Sequence, residues 1–274
     1  MKAVGEVIQL STKFLQERGV DRARRLVEEL LAHALRVKRM DLYLQFDKPV
    51  EEKELAQLRD PLKRLVKGEP LEYILGEVEF GGCKIKVDSR VLIPRPETEI
   101  LLEHILKRIK GRKVWDLCTG SGCLGIALKK ARPDLDVTLS DLSAEALSVA
   151  QKNAEGVMVE LIQGDLLTPF QGQKADVILC NPPYISTNEY LNLQPSVRDF
   201  EPKMALVGGD RGTEFYERLA RDLPLFLSDK GQVFLEIGTG QGAAIQEIFK
   251  GGPWTSLQVE KDWAGHDRFF FLEK

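Results

Sequence analysis

The chain has little of what marks a secreted, membrane-spanning or metal-binding protein. Lys2 and the residues after it lead into no long apolar run, so neither a signal peptide nor a transmembrane helix is expected, and the expected compartment is the cytoplasm. Cysteine is scarce: Cys83, Cys118, Cys123 and Cys180 are the four in 274 residues, and no pair is spaced C-x-x-C. Such spacing points to no zinc site and fits small buried thiols in a reducing compartment. Aromatic residues make up 7% and the formal net charge is −3, so no basic field or rich supply of stacking rings is there to grip nucleic acid. The balance is +2 over residues 1–75 and −5 over the rest, too small a difference to make the first part a nucleic-acid arm. What is present is ordinary: 43% hydrophobic and 30% charged residues, enough to bury a real core.

Residues 1–75 read as helical. Apolar positions recur at helical spacing in 4–18 (Val7, Ile8, Phe14, Leu15) and in 21–36, with Asp21 as N-cap (Leu26, Val27, Leu30, Leu31, Leu35). They recur again in 51–67 (Leu55, Leu58, Leu62, Leu65), where Pro61 is expected to kink or split the helix. A small bundle packed on itself follows. In 76–93, Val78, Phe80, Cys83, Ile85 and Val87 flank Gly81-Gly82, which predicts a β-hairpin. Pro94 and Pro96 then stiffen a loop, and Leu101, Leu102, Ile105 and Ile109 mark the next helix. Beyond residue 113, apolar runs at 114–117, 135–139, 158–162, 176–180 and 232–237 alternate with helical patterns. This predicts an α/β fold of βαβ units around a doubly wound, parallel sheet. The runs 256–259 and 269–272 have no helix between them and can pair antiparallel.

Residues 116–122 read D-L-C-T-G-S-G, at a strand end and opening a helix over 124–130. Glycines there let a ligand approach the backbone closely. The segment lacks the G-K-[ST] ending of a P-loop. Gly120, Gly122 and Gly125 also satisfy G-x-G-x-x-G, so a dinucleotide enzyme is a rival, and a plain tight turn is the bland alternative. Asp141 follows the second strand about 20 residues on, where doubly wound folds place an acid on ribose hydroxyls. Asp165, in Gln163-Gly164-Asp165-Leu166, either accepts from an adenine amino group or caps a helix.

Asn181-Pro182-Pro183-Tyr184 follows the fourth strand directly, at the strand end where open α/β sheets bind ligands. Two prolines remove two donors and leave carbonyls to accept. The Asn181 side-chain oxygen and the Pro182 carbonyl can together accept both protons of an –NH₂ group. That polarises a planar, weakly nucleophilic nitrogen and aims its lone pair at an electrophile. Tyr184 would offer a flat wall to a π-system or a cation. The bland alternative is a rigid turn closing a strand. Amide and adenine nitrogens fit this chemistry equally.

Taken together, these segments resemble the HemK/PrmC family of release-factor glutamine N5-methyltransferases. Further likeness lies in Gly68-Glu69-Pro70 with Tyr73-Ile74-Leu75-Gly76, in Val91-Leu92-Ile93-Pro94-Arg95-Pro96-Glu97-Thr98-Glu99, and in Glu201-Pro202 with Ala205-Leu206. Gly208-Gly209-Asp210 with Gly212 and Gly265-His266-Asp267-Arg268 follow in family order, so the resemblance spans nearly the whole chain. It implies a class I, Rossmann-like methyltransferase with a seven-stranded, mostly parallel sheet whose last strand is antiparallel. The implied domains are a helical substrate-docking domain over 1–75, a hairpin linker over 76–93 and a methyltransferase domain over 94–274. The implied reaction moves a methyl group from S-adenosylmethionine, leaving S-adenosylhomocysteine, to the glutamine amide of the Gly-Gly-Gln motif in peptide chain release factors. Neither metal, direct nucleic acid nor membrane enters, and a monomer is expected. Carried over, Cys118, Thr119, Gly120, Ser121, Gly122, Asp141, Asp165, Leu166 and Asn181 bind the cofactor. Asn181, Pro182, Pro183 and Tyr184 hold the substrate, with Asn181, Pro182 and Tyr184 catalytic. Two departures are visible: Cys118 replaces the family's usual glycine, and Leu166 stands where some relatives have tryptophan beside the adenine. Arg95 with Glu97 forms an ion pair or reaches the cofactor, and His266 belongs to the turn before the last strand. The alternatives are glutamine methylation of a ribosomal protein and N6-adenine methylation of nucleic acid. The last would call for a basic groove with stacking aromatics.

Overall fold

The apolar stripes of the N-terminal residues meet as helices α1 (Val4–Gln16), α2 (Ala23–Leu35), α3 (Asp41–Leu44), α4 (Glu52–Val66) and α5 (Leu71–Leu75). Val4, Ile8, Leu15, Leu31, Leu42, Leu58 and Leu65 are buried in their shared core. This computed structural model describes residues 2–274. The first unit takes in the chain up to Gly76 together with Pro195–Phe200; the second is Glu77–Gln194 with Glu201–Lys274. Two expectations fail in the first unit. Arg22, not Asp21, sits at the N-cap of α2, in the left-handed region at φ 52° and with no side-chain cap bond. Pro61 does not split α4. The carbonyl it leaves unpaired belongs to Gln57, which is exposed to water, while buried Leu58 and Leu65 anchor both halves. One acid is buried in this unit: Glu28 accepts from Arg24 at 2.9 Å, Arg39 at 3.1 Å and the Tyr43 hydroxyl at 2.6 Å.

The second unit opens with the hairpin β1 (Glu77–Phe80) and β2 (Cys83–Lys86). Gly81 and Gly82 turn it at φ 52° and 73°, the double positive φ that a type I′ turn requires. There follow α6 (Pro96–Arg108), β3 (Lys113–Leu117), α7 (Cys123–Ala131), β4 (Asp136–Asp141), α8 (Ala144–Asn153), β5 (Glu160–Gln163) and β6 (Ala175–Cys180). Next come β7 (Ile185–Ser186), α9 (Thr187–Leu191), α10 (Pro195–Arg198, grouped with the first unit) and β8 (Val207–Gly209). The chain ends with α11 (Glu214–Phe226), β9 (Leu227–Glu236), α12 (Gly242–Phe249), β10 (Ser256–Lys261) and β11 (Asp267–Glu273).

Seven strands form one sheet in the order β10-β11-β9-β6-β3-β4-β5, with β11 antiparallel to both neighbours. The central strands are buried almost throughout, as strands covered by helices on both faces must be. The chain winds from β3 out to β4 and β5, then returns to β6 on the other side of β3. That reversal opens a crevice at the carboxyl ends. Register aligns those ends: Leu117 is opposite both Ser140 and Cys180, and Asp141 is opposite Gln163. Trp115 and Leu117 face the core built with α11 and α12, where the Trp115 and Phe170 rings stack at 3.9 Å. Two features were not expected: the short parallel pair β7–β8 just after the tetrapeptide, and a β9 that starts at Leu227 with a register irregularity before the apolar run at 232. No helix among the described residues is long and apolar enough to cross a membrane.

Replacing Trp115 with alanine removes the ring stacked on Phe170 and leaves a cavity beneath the sheet. The expected cost is about 3–5 kcal/mol. Urea unfolding followed by far-UV circular dichroism reads it, and a loss under about 1 kcal/mol would contradict the packing described.

Candidate active site

A cleft of about 220 Å³ lies where the ends of β3, β4 and β6 converge, lined by Cys118, Thr119, Gly120, Ser121, Asp141, Asp165, Leu166, Asn181 and Pro183. These are nine of the residues singled out from the sequence. The other three, Gly122, Pro182 and Tyr184, stand behind the lining. Gly122 begins α7 at φ 80°, and a Cβ there would meet Ile126 at 2.8 Å. Pro182 is buried, and Tyr184 packs on the core of the unit instead of forming a wall of the cleft.

The loop after β3 is held by acids. Asp116, buried at the strand end, accepts from the Thr119 hydroxyl at 2.6 Å and from the Gly125 N–H at 3.0 Å, which ties β3 to the first turn of α7. Burial pushes its carboxyl up to about 7, against the pull of those two donors. Asp141 accepts from the Gly120 N–H at 2.8 Å and the Ser143 N–H at 2.9 Å, bridging the end of β4 to the glycine loop; burial raises its carboxyl as well. Cys118 lies in the left-handed region at φ 55°, where a Cβ costs on the order of 1 kcal/mol. The backbone here is the one a glycine adopts freely, and the cysteine side chain tolerates it. Leu166, at φ 50°, is the second non-glycine residue of the cleft so placed.

Asn181 follows β6, whose last residue, Cys180, is opposite Leu235 of β9. Its amide nitrogen donates to the Thr98 hydroxyl at 3.4 Å. Thr98, in the first turn of α6, donates to Glu236 at 2.7 Å, and the Tyr184 hydroxyl donates to the other oxygen of Glu236 at 3.4 Å. Glu236 is buried, and its carboxyl is pushed up to about 7 by desolvation. The sequence reading missed Asp116 as an organising acid and gave Thr98 and Glu236 no role. Asp116 had a signal, being the first residue of the loop motif. Glu236, far along the chain and inside an apolar run, had none.

Elsewhere the expectations change. Arg95 pairs with buried Glu201 at 2.6 Å, not with Glu97, while also lining the cleft. Asp165 lines the cleft and binds Arg218 at 2.6 Å. His266 lies in the turn between β10 and β11, where its N–H donates to Asp262. Cys123 is buried with its thiol pushed up to about 12 by desolvation, as befits a packing residue. No group of three or more His, Cys, Asp or Glu among the described residues is arranged to hold a metal ion.

The raised Asp116 carboxyl sets a sign. The folded chain holds a proton there that the unfolded chain, with an ordinary carboxyl near 4, gives up, so the contribution of Asp116 to stability falls as pH rises through about 7. Asp116→Asn keeps an oxygen for the Gly125 N–H and removes the titration. The melting temperature of the wild type minus that of the variant is therefore expected to decline from pH 5 to pH 8. A difference that rises or stays level over that range would refute the assignment.

Residues 96–194 match the model of the methyltransferase small domain and residues 6–76 that of the PrmC N-terminal domain. The release factor glutamine methyltransferase of Thermodesulfovibrio yellowstonii is 36% identical over 282 residues, covering 100% of this chain and 99% of the relative. That of Geobacter sulfurreducens is 39% identical over 97% of this chain and 94% of the relative, and that of Bacillus subtilis 38% over 98% and 96%. Among solved structures, a methyltransferase from Pyrococcus furiosus superposes with a TM-score of 0.54 at 20% identity, over 70% of this chain and 89% of that one, which shows the shared fold. With its whole length matched at such identity, the chain belongs to the release factor glutamine methyltransferase family.

Proposed function

We propose that the protein transfers a methyl group from S-adenosylmethionine to the side-chain amide nitrogen of the glutamine in the Gly-Gly-Gln motif of peptide chain release factors. The observation that carries this reading is Asn181, at the cleft wall beside the glycine loop, with its amide nitrogen engaged by Thr98. The amide oxygen then remains to accept from a substrate –NH₂.

The cleft fits the cofactor by its chemistry. Asp141, at the end of β4, would take a ribose diol, Leu166 with Leu142 and Phe215 would supply apolar surface for a purine, and Asp165 would offer a carboxylate to an amino group. Bound there, S-adenosylmethionine supplies an electrophilic methyl group on a sulfonium sulfur. The part of Asn181 and the Pro182 carbonyl is to accept the two amide protons of the substrate, hold the nitrogen and turn its lone pair toward that methyl group. Rate then comes from proximity, orientation and preorganised dipoles. Pro183 stiffens the segment, and Tyr184 anchors it from behind. We assign docking of the release factor to the helical first unit, where Met40 and Leu44, at the two ends of α3, are exposed apolar side chains. The acceptor is a protein, not nucleic acid or membrane, and the enzyme acts in the cytoplasm as a monomer.

Purified chain with labelled S-adenosylmethionine is expected to label a release factor, and replacing the acceptor glutamine should abolish the signal. Equal labelling of the substituted factor, or labelling only of a ribosomal protein or nucleic acid, would sink the reading. In the same assay, Asn181→Ala is expected to lose roughly a hundredfold in kcat while its cofactor affinity changes by less than about threefold. A variant with wild-type turnover would remove Asn181 from this role.

A further inference from the structure

Glu236, at the end of β9, touches two points of the tetrapeptide. One carboxylate oxygen accepts from the Tyr184 hydroxyl; the other accepts from Thr98, whose oxygen in turn accepts from the Asn181 amide. Strand register makes this possible. Cys180 is opposite Leu235, so the next residue on each chain, Asn181 just past β6 and Glu236 at the end of β9, emerge side by side. Thr98 reaches the same place from the first turn of α6.

A threonine hydroxyl has one proton and lone pairs to accept with. With that proton committed to Glu236, the Thr98 oxygen can meet Asn181 only as an acceptor. The face of Asn181 turned to Thr98 must then be its –NH₂, and the face turned away is its carbonyl oxygen. A protonated Glu236 can donate to Thr98 instead. The hydroxyl is then released to donate toward Asn181, and the side-chain amide turns over. Its –NH₂ would face a substrate –NH₂, donor against donor.

We propose that Glu236, acting through Thr98, is the positioning residue that fixes which way the Asn181 amide points, and that its ionised form sets the acceptor orientation. This rests on the role given to Asn181 above. Neither residue needs to touch the substrate. Thr98 and Glu236 are both buried, and their bond runs behind the cleft wall that Asn181 and Thr98 line. The groups facing Glu236 are Glu97 and Thr98 of α6, Tyr184, Arg268 of β11, Cys123 of α7, and Tyr216 of α11, whose hydroxyl donates to the Glu236 backbone carbonyl at 2.8 Å. Burial and Glu97 oppose ionisation; Thr98, Arg268 and Tyr184 favour it, and the outcome lies at about 7, where a modest change of pH switches the relay.

Three variants of the full chain test this. Thr98→Val is nearly isosteric and removes the hydroxyl, Thr98→Ser keeps it, and Glu236→Gln replaces the pure acceptor with a group that also donates. With a release factor as acceptor, Thr98→Val and Glu236→Gln should lower kcat roughly tenfold to a hundredfold while KM for the release factor and cofactor affinity stay within about threefold. Thr98→Ser should retain nearly wild-type turnover. A Thr98→Val enzyme within twofold of wild type, or a Thr98→Ser enzyme as impaired as Thr98→Val, would overturn the proposal. A second readout needs no substrate. In protein labelled with ¹⁵N-asparagine, the Asn181 side-chain –NH₂ signals, identified by their loss in Asn181→Ala, should titrate with a midpoint near pH 7 in wild type and lose that titration in Thr98→Val. Flat wild-type signals, or the same titration in both, would refute the relay. A wild-type chain that labels no release factor would instead refute the proposed function, and the nuclear magnetic resonance result would still decide the relay.

Discussion

A carboxyl group taken out of water must find donors, and in the cleft of this protein the directly bonded donors are neutral. Asp116 has a hydroxyl and a backbone N–H, Asp141 two backbone N–H groups, and Glu236 two hydroxyls. Each acid joins two segments. β3 is tied to α7, β4 to the glycine loop, and β9 to both α6 and the tetrapeptide. The shape of the cleft is therefore the shape that satisfies two buried acids and one half-buried one. Acids that serve the scaffold are treated differently: Glu28 and Glu201 are matched by arginines. Tyr43, Arg24 and Arg39 hold the Glu28 carboxyl below its ordinary range, whereas burial against neutral donors raises those of Asp116, Asp141 and Glu236.

Parallel strands bring these groups together without long reaches. Side chains just beyond β3, β4 and β6 lie side by side because the strands end in register, and the crevice opens because the strand order reverses at β3. Asn181 needs no loop to carry it to the glycine loop; the β6–β3 pairing does that. What pairing cannot set is the orientation of its amide about χ2, since nitrogen and oxygen have nearly equal volumes. Only hydrogen bonding tells them apart.

This division explains what the sequence disclosed. The parallel strands were legible because short, mostly apolar runs alternated with helical patterns, and the tetrapeptide was placed by the strand before it. Asp141 was legible for the same reason. Glu236 was not: it sits inside the run 232–237 and reads as one more strand residue, and its partner Thr98 lies far back in a helix. Arg95 was read with its sequence neighbour Glu97, whereas its counter-ion, Glu201, comes from a distant loop. Pro61 was overrated as a breaker because a single lost helical bond facing water counts for less than two buried leucines. Local pattern specifies elements; buried polar partners are specified by topology, which a local pattern does not contain.

The first unit is not one stretch of chain. Pro195–Phe200, which arrives only after β7, completes it, and Phe200 lies 3.8 Å from where a Cβ on Gly68 would be. During synthesis the helices of residues 4–75 leave the ribosome long before that hexapeptide exists. Their apolar core draws on residues 4–75 alone, so it can close while more than a hundred further residues are made before that hexapeptide joins it. Evolution faces the same seam. A helical unit grafted onto another catalytic unit by recombination at residue 76 would leave behind the six residues that complete it, so the two units descend together more easily than apart.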